Sequence, residues 1–175
     1  QCPHCGTEFR MGTKGAEIFC NHCGKRWFLQ ENGQLRATEG ETEFSHIPDW
    51  YEWERANIRA EVEAGTYAFT CQARVDALPN AKGYMDLGMA TLTHDMTGFT
   101  LDGTYEGEDY HVHIPAASQY SVHIEYEYLG KFGDCVDLNT LEDTWYTYPE
   151  GTDFAVTKFA LATEELYRNY KEKNK

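Results

Sequence analysis

Nowhere does this sequence hold the run of roughly 18 apolar residues that a membrane-spanning helix needs, and no charged-then-apolar signal segment opens it. Direct insertion into a bilayer is therefore not expected. Basic residues are scarce as well: 15 Lys+Arg stand against 29 Asp+Glu, for a formal net charge of −14. A nucleic-acid surface works by displacing counterions with a basic stripe, so most of this chain is expected to be repelled by DNA and RNA. A nucleophile elbow, a phosphate loop and a metalloprotease helix are all missing. Acid pairs such as Glu125/Glu127 and Glu142/Asp143 accordingly read as solvated charge. The chain also lacks an initiator methionine and begins at Gln1, which reads as a piece cut from a longer protein.

The sequence is rich in aromatic residues: 12 Tyr, 9 Phe and 4 Trp in 175 residues, with 41% apolar overall. That is enough for a packed core, and the aromatic share favours strands over a helical bundle. The length suits one ordinary domain with a small appendage.

The appendage is written in CPHC and CNHC, two Cys-x-x-Cys pairs fourteen residues apart. Cys2, Cys5, Cys20 and Cys23 offer four soft sulfurs, the donor set that Zn²⁺ selects in a closed, structural tetrahedron. One zinc per chain is expected. Gly6 and Gly24 each follow the second cysteine of a pair, where the turn needs a left-handed residue. A redox role for the pairs is the alternative, but it calls for a pair at a helix N-terminus in a βαβ setting. His4 and His22 are too close to their flanking cysteines to join the same tetrahedron and read as bystanders. Downstream, KRWFLQENGQLRA reads as a hairpin with a type I′ turn at Asn32-Gly33, placing Trp27, Phe28 and Leu35 beneath the zinc. Cys71 and Cys135 lie far apart on strand-like stretches, so the cysteines suggest a reducing, cytoplasmic setting rather than a disulfide framework.

Charge divides unevenly between the parts. Residues 1–37 carry net +2 and the remainder net −16. Polar 38–46 reads as a linker. The following PDWYEWERANIRAEVEAG reads as a helix with Asp49 as N-cap and a stop at Gly65. Its apolar residues form two sets, Trp50, Trp53, Ala56, Ala60 and Ala64 against Tyr51, Ile58 and Val62. Two sets suggest either two partners or burial in one deep groove.

From residue 66 the period becomes two. Strands are expected at 66–77, 84–94, 99–105, 110–114, 120–128, 134–138 and 144–148, separated by PNAKG, DMTG, EGED, PAASQ, LGKFGD and NTLED. The last stretch is helical in period, with Val156, Phe159, Ala160, Thr163, Leu166, Tyr167 and Tyr170 on one side, Asp153 at its start and lysines at its finish. The expected fold is mainly β with two helices. It comprises a zinc ribbon (1–37), a linker and connecting helix (38–65), and an antiparallel β-barrel or sandwich with a C-terminal capping helix (66–175). This order of elements resembles the pleckstrin-homology superfold. The lysines that such domains use for lipid headgroups are absent from HDMTG and EGED, so protein contact is the better expectation, with Trp50, Trp53, Trp145 and Tyr146 as exposed aromatic candidates. His111, His113 and His123, with Glu125 nearby, would form a second metal site if their strands folded back on one another; otherwise they lie on a solvated face.

ETEFSHIPDWYEWER, HIEYEYLGKFGDCVDLNTLEDTWYTYP and VTKFALATEELYR resemble the C-terminal region of bacterial proteins named 1-acyl-glycerol-3-phosphate acyltransferases. The resemblance implies an upstream, membrane-associated catalytic domain in the same chain, a link to phospholipid biosynthesis and a place at the cytoplasmic face of the membrane. The catalytic His-x-x-x-x-Asp of that class is missing: the residues five beyond the seven histidines are Phe9, Trp27, Tyr51, Phe99, Ala116, Ser118 and Tyr128. The expectation is a non-catalytic zinc-binding accessory or regulatory module that contacts protein. A nucleic-acid-binding ribbon and a small metalloenzyme built on the strand histidines are the alternatives.

Overall fold

The computed structural model describes residues 1–79 and 83–174, and the expected break at PNAKG lies mostly outside them. The chain divides into two compact units, Gln1–Asn57 and Ile58–Lys175.

In the first unit, β1 (Met11–Lys14), β2 (Glu17–Cys20), β3 (Arg26–Leu29) and β4 (Leu35–Ala37) pair antiparallel in chain order. Strand alternation sends Trp27 and Leu35 inward to join Cys2, Cys20 and Trp50. Phe28, expected beside them, takes the opposite phase and is 48% exposed. The two buried indoles lie 5.1 Å apart, and both are satisfied: Trp27 Nε1 donates to the Glu43 carboxylate at 2.9 Å and Trp50 Nε1 to the Gln1 carbonyl at 3.0 Å. The β3–β4 connection is not the expected type I′ turn. Gly33 donates to the Gln30 carbonyl and Gln30 to that of Gln34, and only Gly33, not Asn32, has positive φ. That is a type I turn closed by a left-handed glycine.

Helix α1 (Ile47–Glu63) begins ahead of Asp49, so that residue does not cap it; its charge instead faces the positive end of the helix dipole from within the first turn. The helix ends on a Schellman pair, Gly65 N–H to the Val62 carbonyl and Thr66 N–H to that of Glu61. Trp50 and Trp53 belong to the core of the first unit, and Ile58 and Val62 to a cluster of the second. Ala56, Ala60, Ala64 and Tyr51, assigned to apolar faces by periodicity, are exposed.

The second unit is built on seven strands: β5 (Ala68–Ala77), β6 (Met85–Asp95), β7 (Gly98–Tyr105), β8 (Glu108–Pro115), β9 (His123–Glu125), β10 (Cys135–Asn139) and β11 (Thr144–Pro149). Their order is β8-β7-β6-β5-β11-β10-β9, antiparallel throughout. A four-strand meander and a three-strand meander thus join where β11 pairs with β5. The sheet is open, with β8 and β9 as its edges, and does not close into the expected barrel.

Helix α2 (Val156–Lys173) covers one face. Val156 and Phe159 enter the core formed by Ala73, Val75, Leu92, Leu101 and Leu138, and Leu161, Ala162 and Leu166 pack with Ile58, Val62 and Tyr67. Its buried side is wider than the expected stripe and includes Glu165, which Arg59 and Arg168 hold at 3.0 and 2.7 Å, while Tyr170 is exposed. The residue before α2, Ala155, provides no side-chain cap, so Asp153 does not start it.

The expected exposure of the four aromatic candidates fails, and so does one expected strand. Trp50 is buried, Trp53 is half-buried against Phe44, Trp145 packs on the sheet core beside Tyr110, and Tyr146 lies under Tyr128. Residues 120–128, expected to form one strand, pair only over three residues. Beyond them Glu127 and Leu129 turn left-handed, and 126–134 folds back over the outer face of the sheet, with Tyr128 and Phe132 against Tyr148.

His94 is buried in the core, stacked on Phe99 at 3.7 Å with Nδ1 2.9 Å from the Tyr67 hydroxyl. Burial lowers its pKa from 6.5 to about 3, so it is neutral in the fold while the unfolded chain takes up a proton below 6.5. Stability of the second unit is therefore expected to fall as pH drops from 6.5 toward 3, by up to about 1.4 kcal/mol per pH unit. Hydrogen exchange of the β6 amides checks this without interference from the cysteine unit, and His94→Gln is expected to flatten the slope.

Candidate metal centre

Two near-identical turns bring the cysteines together. In the first, Gly6 N–H donates to the Cys2 carbonyl and Cys2 N–H to that of Thr7; in the second, Gly24 N–H donates to the Cys20 carbonyl and Cys20 N–H to that of Lys25, all at 2.9 Å. Each turn needs a left-handed residue at its fourth step, and Gly6 and Gly24 supply it at φ 74 and 78.

The four sulfurs all lie within 4.8 Å of one another, with Cys2–Cys23 at 3.8 Å and Cys5–Cys20 at 3.9 Å. Sulfurs bonded about 2.3 Å from a common tetrahedral centre would be separated by about 3.8 Å, so the spacing fits one metal ion. It is far beyond an S–S bond, and all six cysteines are free. Cys2 and Cys20 are buried while Cys5 and Cys23 face outward.

The electrostatics differ around the site. Thr7, through its hydroxyl 3.3 Å away and its backbone, draws Cys5 down to about 5, and burial pushes Cys2 up to about 12. Four thiolates this close oppose each other's ionisation, and a bound cation would supply the compensating charge. His22 Nδ1 stands 3.8 Å from Cys5 Sγ and 3.2 Å from the Thr7 hydroxyl, whereas His4 is drawn away to Glu43 at 2.9 Å.

The strand histidines do not converge. His111 and His113 lie on β8 and His123 on β9, at opposite edges of the sheet. Each has a local partner: Asp102 at 2.6 Å, Thr100 at 3.1 Å and Glu125 at 2.9 Å. Among the described residues the four cysteines are the only group arranged to hold a metal. Among the same residues no helix is long and apolar enough to cross a membrane. Compared with protein families, with curated proteins and with solved structures, the chain matches none.

Periodicity missed a second constellation, on the outer face of the sheet. Asp76 and Asp137 occupy outward strand positions yet are buried, with Cys135 and Tyr148 beside them. The one sequence signal was LGKFGD, whose two glycines mark a reversal.

Trp27, Trp50 and Trp53 lie in the first unit, leaving only Trp145 in the second. A strong chelator is therefore expected to red-shift most of the tryptophan fluorescence while the amides of β5–β7 keep their exchange protection. Cys20→Ser should reproduce that change. Gly24→Ala should weaken the first unit by about 1–2 kcal/mol, the cost of a side chain in the left-handed region, read from the chelator concentration at the fluorescence midpoint.

Proposed function

We propose that the four thiolates hold one structural zinc ion and that the chain is a non-catalytic accessory module acting through protein contact. One observation carries the reading: four cysteine sulfurs lie within 4.8 Å of one another, and four thiolate ligands on one ion would leave no position for a substrate or a reactive water. Zinc is favoured because an all-thiolate tetrahedron suits a borderline-soft ion without geometric demands of its own. A unit as small as Gln1–Asn57 has limited apolar surface to bury, so metal binding supplies much of its folding free energy.

The charge distribution supports a protein partner over nucleic acid. The first 37 residues carry only net +2 beside net −16 on the rest, too little to release counterions from a phosphate backbone. The parent we propose is an acyltransferase of the 1-acylglycerol-3-phosphate type at the cytoplasmic face of the membrane. That reading rests on the resemblance of three segments. In such a parent the chemistry comes from other residues, because no histidine here is followed by aspartate at the fifth position.

The purified chain should contain one equivalent of zinc by elemental analysis. It should transfer no acyl group from an acyl donor to 1-acylglycerol-3-phosphate and retain no duplex DNA at low salt. Acyl transfer by this chain alone, or DNA retention that salt abolishes, would overturn the proposal.

A further inference from the structure

A two-layer arrangement with one helix leaves the outer sheet face to solvent, and outward residues of β5 such as Thr70 and Gln72 are indeed exposed. The pattern breaks at a bulge between Val75 and Asp76. From there, Asp76 of β5 lies across from Tyr146 of β11, which lies across from Asp137 of β10. Asp76 is 3% exposed and Asp137 8%. Burying two carboxylates on the solvent side of a sheet is costly unless a cation answers them.

Two of the chain's own cations reach this face: Arg74 pairs with Asp86 and lies 4.2 Å over the Phe132 ring, and Lys131 answers Asp76. Lys131, from the segment that folds back over this face, puts its ammonium 3.4 Å from the Asp76 carboxylate and 4.6 Å from the ring centre of Tyr84. The surrounding wall is aromatic. Tyr84 meets Tyr146 edge-on at 5.2 Å, Tyr128 stacks on Tyr146 at 5.4 Å, and the Tyr84 and Tyr128 hydroxyls are 2.8 Å apart. Tyr148 completes it, 1% exposed, with its hydroxyl buried and, among the described residues, without a hydrogen-bond partner. Burial first, then the charges of Cys135, Asp76, Tyr84 and Asp137, raise the Tyr148 pKa, which places that hydroxyl within the same negative field.

We propose that this aromatic, doubly acidic cluster is a binding site for an alkylammonium group, held shut by Lys131. Ring faces and carboxylates are the chemistry that recognises a primary or methylated ammonium, and the Tyr148 hydroxyl offers a hydrogen bond that Lys131, bound to Asp76, leaves unused. The latch is built to let go. Lys131 is over a third exposed, and the segment carrying it holds Glu127 and Leu129 at φ 49 and 53, a conformation that costs non-glycine residues free energy. A ligand ammonium that replaces Lys131 frees this segment, so occupancy is read out as a change in 126–134. The site lies wholly within the second unit and is independent of the metal centre.

The same ammonium can arrive on a free small amine or on a lysine side chain, and two probes separate them: choline and Nα-acetyl-lysine N-methylamide. Titrated by calorimetry and by amide chemical shifts of 126–134, Lys131→Gln is expected to bind one or both probes at least tenfold more tightly than the unaltered chain. The effective competitor is gone in that variant. Adding Asp76→Asn, or Tyr84→Leu at the half-exposed ring in case the buried change unfolds the sheet, should lower the affinity tenfold or more. The uncharged choline isostere 3,3-dimethylbutan-1-ol should not bind. Binding of neither probe to Lys131→Gln, equal binding of the isostere, or indifference to Tyr84→Leu would overturn the proposal.

Discussion

The larger unit depends on the pairing of β5 with β11. Five residue pairs, from Trp145↔Ala77 to Pro149↔Ala73, join two meanders that among the described residues share no other ladder. The chain between these strands is long, so closing it carries an entropic cost that local hairpins avoid. The same pairing sets both faces of the sheet. Inward it lines up Val75 with Thr147 and Ala77 with Trp145 in the core under α2, and outward it lines up Asp76 with Tyr146 and Arg74 with Tyr148. A slip of one residue would exchange those sets and dismantle the core and the outer aromatic cluster together.

The smaller unit solves a different problem. Its four short strands enclose a small core, a pair of indoles packed beside Cys2 and Cys20. Ordering comes from the hydrogen bonds of the two knuckles, which aim four sulfurs at one point. Glu43 connects these features through its bonds to Trp27 and His4 and its ion pair with Lys25. Burial raises the Glu43 pKa, but its hydrogen bonds and Lys25 outweigh that and leave it below the ordinary value.

The local features of this fold were legible. Cysteine spacing identifies the four residues that cluster because the knuckle is a short-range structure, and alternation identifies strands wherever one face meets the helix. Distant coverage was not legible. Asp76 and Asp137 stand at outward strand positions, and nothing in β5 or β10 reveals that 126–134 returns to cover that face. The alternation of YSVHIEYEY likewise continues past Glu125 in sequence, although left-handed residues end the pairing there. The proposed convergence of His111, His113 and His123 assumed that successive strands stay neighbours. Instead the chain leaves β8 through the short 3-10 turn Ala116–Ser118 and starts β9 at the far edge.

An open sheet has two unpaired margins, and each unpaired backbone ladder is a template on which another chain can add a strand. This protein blunts both. The β8 margin carries Glu108 and Asp109, has its histidines facing solvent and ends at Pro115, while β9 is only three residues long. With a net charge of −14, two approaching copies repel each other before their margins can meet. The openness that separates this sheet from a barrel is thus compatible with a protein that resists fibrous self-association at high concentration.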